Sequence, residues 1–241
     1  MIKIENICKS FGKIKVLKEI NLNFDRGQCI ALIGPNGCGK TTLIKSILGM
    51  VVPSSGTILV QNKSIKQAWE YRKDIGYMPQ IGRYPDNMTI GQVLDMMKDI
   101  RADLHQDCDT ELYREFKMEE LLTKRMSTLS GGTRQKVSAC IAFMFKPQIL
   151  ILDEPTAGLD PISTEILKDK IRREQDNNKL IIITSHILSD LDELVSEIIY
   201  MEDGQLRFHK NIDALKQETG TEKLGKAIAQ IMLSSNTKDY A

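Results

Sequence analysis

The sequence has no apolar run long enough to cross a bilayer. Its longest apolar stretches are 137–145, which Ser138 interrupts, and 149–152, whereas a membrane-spanning helix needs about 20 apolar residues. Residues 1–8 alternate apolar and polar positions, which is typical of a strand and not of a secretory signal. We therefore expect a chain that is soluble by itself and carries no export signal.

A strong charge of either sign is also missing. The chain has 33 Lys and Arg residues against 32 Asp and Glu residues, and 41% of its 241 residues are hydrophobic. This composition indicates a globular chain with a core of its own, and it argues against disorder and against a broad nucleic-acid surface. Nucleic acid is therefore not an expected partner.

The cysteines do not form a paired pattern. The chain has five of them, an odd number, which is typical of free thiols in a reducing cytosol and not of a disulfide framework. His105 and Cys108 supply at most half a metal site, and a surface loop is the favoured alternative. The scattered cysteines are Cys8, Cys29, Cys38, Cys108 and Cys140.

Short apolar runs bounded by turn residues predict an α/β fold. The runs at 28–33, 148–153 and 180–184 are apolar at nearly every position, as expected of parallel strands buried on both faces. Between about 89 and 145 strand signals disappear and Met and Leu recur at helical spacing, which predicts an all-helical insert. Further elements are predicted as strands over 57–60 and after Gly204, and as helices over 41–48 and 222–233.

A glycine-rich loop between a predicted strand and a predicted helix is the strongest motif. It matches the pattern G-x-x-x-x-G-K-[ST]. Glycines let backbone N–H groups wrap around a phosphate chain, Lys40 supplies a mobile charge, and the Thr41 hydroxyl suits Mg²⁺. A plain turn is the alternative. The predicted nucleotide-binding residues are Gly34, Pro35, Asn36, Gly37, Cys38, Gly39, Lys40, Thr41 and Thr42.

Two carboxylates follow the predicted strand at 148–153. Asp153 and Glu154 are expected at its carboxyl end, where open α/β sheets bind ligands. Asp153 is expected to hold Mg²⁺, and Glu154 to polarise the water that attacks the γ-phosphate. A helix cap is the alternative for such a pair.

A second helix start with small residues occurs at Ser130, Gly131 and Gly132. Exposed N–H groups and a hydroxyl at a helix N-terminus can bind phosphate. A serine-capped helix without a ligand is the alternative.

Together these motifs resemble the ATP-binding subunits of ABC transporters, over about residues 4–207. The loop at 34–41 resembles the Walker A loop, and 149–154 the Walker B strand. Residues 129–132 match the LSGGQ signature, except that Thr133 follows where glutamine is usual. The other matches are the D-loop at 155–160, the Q-loop residue Gln80 and the switch histidine His186.

The resemblance implies a P-loop NTPase fold. It combines a mostly parallel sheet core with an N-terminal antiparallel β subdomain and an inserted all-helical subdomain. One ABC-transporter ATP-binding domain is implied over 1–241, with the catalytic core at 1–80 and 146–205. The helical signature subdomain is then 81–145, and the C-terminal tail is 206–241.

The resemblance also implies residue roles. Phe11 is expected to stack on adenine, with a core phenylalanine as the alternative. Gln80 is expected to reach Mg²⁺ and the attacking water, and His186 to contact the γ-phosphate, although either could be an ordinary polar residue. Asp160 is expected to orient the Walker loop of the other copy. Thr133 is expected to preserve the phosphate contact, since that contact comes from Ser130 and backbone amides.

The implied function is hydrolysis of ATP with Mg²⁺ by a dimer, expected to be a homodimer. The signature helix of one copy would close on the γ-phosphate held by the Walker loop of the other. Integral membrane permease subunits would dock on the helical subdomain and hold the chain in the cytoplasm, at the inner face of the cell membrane. Candidate contacts are Met88, Met96, Met97 and Met118, each with a core position as the alternative.

Residues 78–90 and 129–137 look like those of NosF-type subunits, which serve copper-site assembly in nitrous oxide reductase. Two other classes stay open: a soluble ABC ATPase not coupled to transport, and a nucleotide-dependent regulatory module. A GTPase is disfavoured because the segment 62–65 lacks the aspartate that would read guanine.

Overall fold

A computed structural model describes residues 1–101, 108–185, 191–192 and 194–238. The chain divides into two compact units. The first unit comprises residues 1–69 and 184–241, and the second comprises 70–183.

The first unit contains strands from both ends of the chain and three helices among its described residues. Its elements are β1 (Ile2–Phe11), β2 (Ile14–Phe24), β3 (Cys29–Ile33), α1 (Lys40–Ile47), β4 (Ser55–Val60), β5 (Lys63–Ser64), β9 (Glu197–Glu202), β10 (Gln205–Asn211), α6 (Ile212–Thr219) and α7 (Leu224–Lys238).

The second unit contains the remaining strands and the helical insert. Its regular elements are β6 (Ile75–Met78), α2 (Ile90–Ile100), α3 (Glu111–Glu115), α4 (Gly131–Met144), β7 (Ile149–Asp153), α5 (Pro161–Asp176) and, apart from its last residue, β8 (Leu180–Thr184). Short 3-10 helices span Glu70–Asp74, Met118–Leu121 and Met126–Thr128.

Four strands of the first unit form an antiparallel sheet in the order β2-β1-β4-β5. Ile2 of β1 lies opposite Phe24 of β2 on one side and Val60 of β4 on the other. Ile2 and Ile4 are buried because they share the face that this strand turns toward the core. Ile7 is also buried, and a register shift between Ile4 and Ile7 interrupts the alternation. The sheet is the expected antiparallel β subdomain.

Parallel pairing occurs in both units. In the first unit β3 pairs in parallel with β9, and β10 pairs antiparallel with β9. In the second unit the order is β8-β7-β6, and β6 pairs in parallel with β7. All residues of β3, β7 and β8 are buried, as their uninterrupted apolar runs predict. The predicted α/β fold class is confirmed.

The helical predictions also match the structure in their main features. The helix predicted over 41–48 is α1, and the one predicted over 222–233 lies mostly within α7. No strand occurs within 89–101 or 108–145, where three α-helices and two short 3-10 helices lie instead. The strand predicted after Gly204 is β10. The boundaries of the catalytic core, signature subdomain and tail stay a prediction.

Sequence patterns missed β2, β5, β6, β9 and α6. β6 has only four residues and includes Gly76, so its apolar pattern is too short to distinguish from a loop. Residue 76 has no room for a side chain, because a Cβ on Gly76 would lie 2.1 Å from the Ala142 carbonyl oxygen.

All five cysteines are free thiols. Burial raises the pKa of Cys29 and of Cys140 to about 12, so both are neutral near pH 7. Within the ranges that the structure describes, no group of His, Cys, Asp and Glu residues is arranged to hold a metal ion. His105 lies outside those ranges.

None of the described helices is both long enough and apolar enough to cross a bilayer.

Candidate functional site

The glycine-rich loop joins the end of β3 to the start of α1 within the first unit. Gly39 is the N-cap of α1 and has no side chain to cap it, and Leu43 N donates to Gly39 O at 2.9 Å. The amides of the first turn before Leu43 therefore have no partner within the helix. Such a helix start is suited to bind an anion.

Two glycines of this loop are required by contacts within the chain. A Cβ on Gly34 would lie 2.1 Å from the Met201 carbonyl oxygen, and one on Gly39 would lie 2.8 Å from the Val16 carbonyl oxygen. The backbone of the loop thus packs directly on β2 and β9. The glycines hold the loop in place as well as leaving room for a ligand.

Lys40 places its ammonium group against this loop. The side chain is almost fully buried, and Nζ donates to the carbonyl oxygens of Gly34 at 2.6 Å and Pro35 at 3.0 Å. The loop and its lysine therefore form one compact, positively charged element. Thr41 is exposed and Thr42 is half-buried.

Phe11 ends β1 on the surface of the first unit. Its ring is 51% exposed, so the alternative of a core phenylalanine is wrong. The Lys9 ammonium lies 4.9 Å from the ring centroid and donates to the Val52 carbonyl oxygen at 2.7 Å. The ring is accessible for stacking, and its contact with adenine stays a prediction.

The predicted carboxylates and Gln80 come from neighbouring strands of the second unit. Met78 of β6 lies opposite Leu152 of β7 in a parallel pair. Asp153, the last residue of β7, and Gln80, two residues beyond β6, therefore lie at neighbouring strand ends. Asp153 is buried and Gln80 is exposed. Burial, and secondarily the charge of Asp153, raises the pKa of Tyr77 to about 12.

Glu154 has an unusual backbone conformation. Its φ is +52°, a left-handed value that costs a non-glycine residue about 1–2 kcal/mol. Such strain is common at active sites, where it holds a side chain in a required direction. Neither Asp153 nor Glu154 caps a described helix, since the N-cap of the following helix α5 is Asp160. The helix-cap alternative for this pair is therefore wrong.

The second predicted anion site lies at the start of α4. Ser130 is the N-cap, and its Oγ accepts from Thr133 N at 3.2 Å. The two hydroxyl oxygens of Ser130 and Thr133 are 2.9 Å apart. The serine thus caps the helix, as the alternative expects. Beside this cap the Gly131 face is open, since among the described residues no atom beyond its chain neighbours and the backbone of its own helix lies within 4 Å of a Cβ on Gly131.

The first two turns of α4 contact the segment 154–160, which follows β7. A Cβ on Gly132 would lie 2.5 Å from the Gly158 carbonyl oxygen, and Lys136 Nζ lies 2.9 Å from Asp160 Oδ2. Asp160 also caps α5 by accepting from Ser163 N at 2.9 Å. These bonds, chiefly the one from Lys136, hold the pKa of Asp160 below its usual range.

Gln135 is a residue at this contact that the sequence analysis did not single out. It is buried on α4, and Nε2 donates to the Glu154 carbonyl oxygen at 3.1 Å. Helical spacing was an available signal, because Gln135 shares a face with Ser138, Ala139 and Ala142, all of which are buried. His186, the last predicted catalytic residue, lies outside the described residues.

Comparison with known proteins agrees with these features. The family model described as ABC transporter matches residues 17–157, more than half of the chain. The chain belongs to the ABC transporter family. It is an ATP-binding subunit of that family, and therefore an ATPase.

Several relatives share about a third of their residues with this ABC subunit. The uncharacterized ABC transporter ATP-binding protein YxlF of Bacillus subtilis is 30% identical over 92% of this chain and 74% of its own length. The lantibiotic transport ATP-binding protein SrtF of Streptococcus pyogenes is 33% identical over 88% of this chain and 92% of its own length.

Solved structures share the fold of this ABC subunit. The structure of an ATP-binding subunit of an ABC transporter has a TM-score of 0.86 at 24% identity and covers 96% of this chain and 99% of its own. A dimeric ATP-binding cassette in a post-hydrolysis state with ADP and Pi has a TM-score of 0.75 at 24% identity, covering 88% of this chain and 98% of its own.

Proposed function

We propose that this ABC subunit binds two MgATP between two copies of itself and that hydrolysis drives a separate membrane subunit. The observation that carries the proposal is the start of α1. Its amides lack partners within the helix, and the Lys40 ammonium bonds to carbonyl oxygens of the same loop. A triphosphate would offer the lysine a stronger, negatively charged acceptor than those neutral carbonyls.

The carboxylates supply the chemistry in this proposal. Asp153 and Glu154 are buried at the end of β7. Glu154 would polarise the attacking water, with His186 orienting that water, and Gln80 would reach both the water and the metal. A positioned base near the attacking water is what phosphoryl transfer requires.

Thr41, Gln80 and Asp153 would hold Mg²⁺. They offer a hydroxyl, an amide and a carboxylate oxygen, a donor set that suits a hard cation. The ion would neutralise phosphate charge. The residues of this chain would bind the phosphates, exclude bulk water and position Glu154 as the base.

Two copies are proposed because each carries both kinds of anion-binding helix start. The signature residues Ser130, Gly131 and Gly132 would contact the triphosphate bound to the other copy, and Asp160 would orient that copy's Walker loop. A dimeric cassette holding ADP and Pi has the same fold, which supports this arrangement.

The membrane partner is proposed from the names of relatives such as SrtF, which is a lantibiotic transport ATP-binding protein. Permease subunits would dock on 81–145 and so hold the chain at the inner face of the cell membrane. Met118 is fully buried, so it is a core residue and not a contact. Met88, Met96 and Met97 are half-buried and stay candidates.

The NosF-type assignment and its link to copper receive no support from the relatives described above. Those relatives are described as serving lantibiotic transport or as uncharacterized. This assignment stays a prediction from residues 78–90 and 129–137.

Glu154→Gln tests the proposed function. The variant should bind ATP with unchanged affinity, lose turnover, and form a long-lived dimer in ATP and Mg²⁺, measured by size-exclusion chromatography with light scattering. Ser130→Arg is the companion variant, which should bind ATP but form no dimer. Full turnover in Glu154→Gln would contradict the proposal that Glu154 polarises the attacking water. A wild-type chain that binds ATP without turning it over would favour the regulatory-module alternative.

A further inference from the structure

Gln135 connects α4 to the two peptide groups that follow Glu154. Nε2 donates to the carbonyl oxygen of Glu154 at 3.1 Å and to that of Pro155 at 3.4 Å. The side chain is only 4% exposed, so water does not compete for these bonds. One carboxamide therefore anchors two consecutive peptide groups.

The anchored peptide groups lie next to a strained backbone conformation at Glu154. Glu154 has a φ of +52°, a strained value that persists only where its surroundings impose it. Buried carbonyl oxygens need donors, and here the donor comes from α4. If the amide of Gln135 were lost, the backbone at Glu154 could relax and carry the carboxylate away.

The same part of α4 is fixed to the segment 154–160 on either side of Gln135. Gly132 approaches Gly158 before it, and Lys136 pairs with Asp160 just after it. A displacement at the start of α4 would therefore be transmitted to Glu154 through a short, buried connection. The start of α4 is also where Ser130 and Gly131 would meet the other copy's nucleotide.

We propose that Gln135 is a positioning residue for Glu154. Through Gln135, hydrolysis of the chain's own ATP depends on the position of α4. The position of α4 in turn depends on the ATP that is bound to the other copy and contacts the start of α4. This inference rests on the proposed function. In this inference Gln135 acts through the backbone at Glu154 and not by direct contact with nucleotide or water.

The test variant is Gln135→Met, which keeps the length of the side chain and removes its N–H donors. We expect kcat for ATP to fall on the order of 10²-fold, as for other remote changes that displace a reacting group. KM for ATP and dimer formation in ATP should be unchanged. A split of this kind is not expected if Gln135 only supports folding.

A second variant and a matched control separate electrostatics from packing. Gln135→Glu would set a carboxylate against two carbonyl oxygens, so its kcat should fall below that of Gln135→Met. Ser138→Ala removes a fully buried hydroxyl one turn along the same helix, where it contacts Tyr84 and Arg134 instead. That variant should keep kcat within about threefold of wild type, which is less than 1 kcal/mol.

Three results would overturn the inference. They are wild-type turnover in Gln135→Met, a loss of kcat matched by a loss of ATP-dependent dimerisation, and an equal loss in Ser138→Ala. Failure of the proposed function itself would give different results. In that case the wild-type chain would show neither turnover nor dimerisation, and Glu154→Gln would trap no dimer.

Discussion

Gly132 lies so close to Gly158 that a Cβ on Gly132 would come within 2.5 Å of the Gly158 carbonyl oxygen. The adjacent Gly131 faces open space. Two neighbouring glycines of one motif are thus under different structural constraints. Gly132 allows a backbone contact within the chain, whereas no contact among the described residues requires a glycine at Gly131.

Alanine substitution should separate these two reasons. Gly132→Ala should lower the free energy of unfolding by about 1–3 kcal/mol, because the added methyl group must push the segment at Gly158 away. Gly131→Ala should leave that free energy unchanged or raise it by up to about 1 kcal/mol, because alanine favours a helix. Urea unfolding followed by circular dichroism gives both values.

ATPase assays complete this comparison. Gly131→Ala should reduce turnover although it folds normally, because its methyl group would lie where the other copy's triphosphate is proposed to bind. Normal turnover in that variant would contradict the role of Gly131. Equal stability of the two variants would contradict the close contact at Gly132.

Lys40→Ala should weaken ATP binding by at least about tenfold, or about 1.4 kcal/mol. The lysine is the cation of the loop, and a charged hydrogen bond to phosphate would be lost. Titration with a fluorescent ATP analogue measures the affinity. Lys45→Ala, an exposed change on the same helix, serves as the control, and an unchanged affinity in Lys40→Ala would exclude the phosphate-loop interpretation.

Phe11→Ala should lower ATP affinity by about 1–3 kcal/mol, the usual contribution of a base stacked on an aromatic ring. Stability should change by less than about 0.5 kcal/mol, because the ring is already half exposed. The control is Ile14→Ala, which alters the exposed residue opposite Phe11 in the β1–β2 hairpin. Equal ATP affinities of Phe11→Ala and the wild type would show that adenine is held elsewhere.

Lys170 joins three carboxylates inside the second unit. Its ammonium lies 2.5 Å from Asp109, 2.8 Å from Glu111 and 2.7 Å from Glu174. Burial, the largest single influence, would raise the pKa of Asp109. The hydrogen bonds from Lys170 and from the Glu111 amide, with the charges of Lys170 and Lys179, together outweigh burial and hold that pKa below its usual value. Because the folded pKa is depressed, the stabilisation is present above about pH 4 and is lost as the pH falls through the folded value.

The Lys170 cluster therefore predicts two measurable effects. Lys170→Met should destabilise the chain by about 3 kcal/mol near pH 7, since it removes the buried cation that Asp109 shares with two other carboxylates. The loss should not be larger, because Glu111 still pairs with Arg173 and Glu174 with Lys179. Asp109→Asn should flatten the loss of stability below pH 4. Urea unfolding at several pH values measures both effects, and an acid limb as steep in Asp109→Asn as in the wild type would assign the pH dependence to other groups.

Much of the fold follows from local sequence patterns. The runs that form β3, β7 and β8 are apolar at nearly every position, and burial on both faces is their only stable environment. The phosphate loop is equally local, because its glycines, Lys40 and Thr41 are consecutive. Short elements such as β6 were missed, since four residues carry too little periodicity and their pairing partner is distant in sequence.

By itself the sequence determined the buried strands, the phosphate loop, the two carboxylates after β7 and the serine at the start of α4. Each depends on neighbouring residues, whose chemistry and spacing are visible along the chain. Only the tertiary structure decided that Gln135 bonds to the backbone of Glu154, that Gly132 meets Gly158, and that Phe11 stands exposed. The two contacts join residues far apart in sequence, and the exposure of Phe11 depends on which residues pack around it. Tertiary packing, not local preference, determines all three.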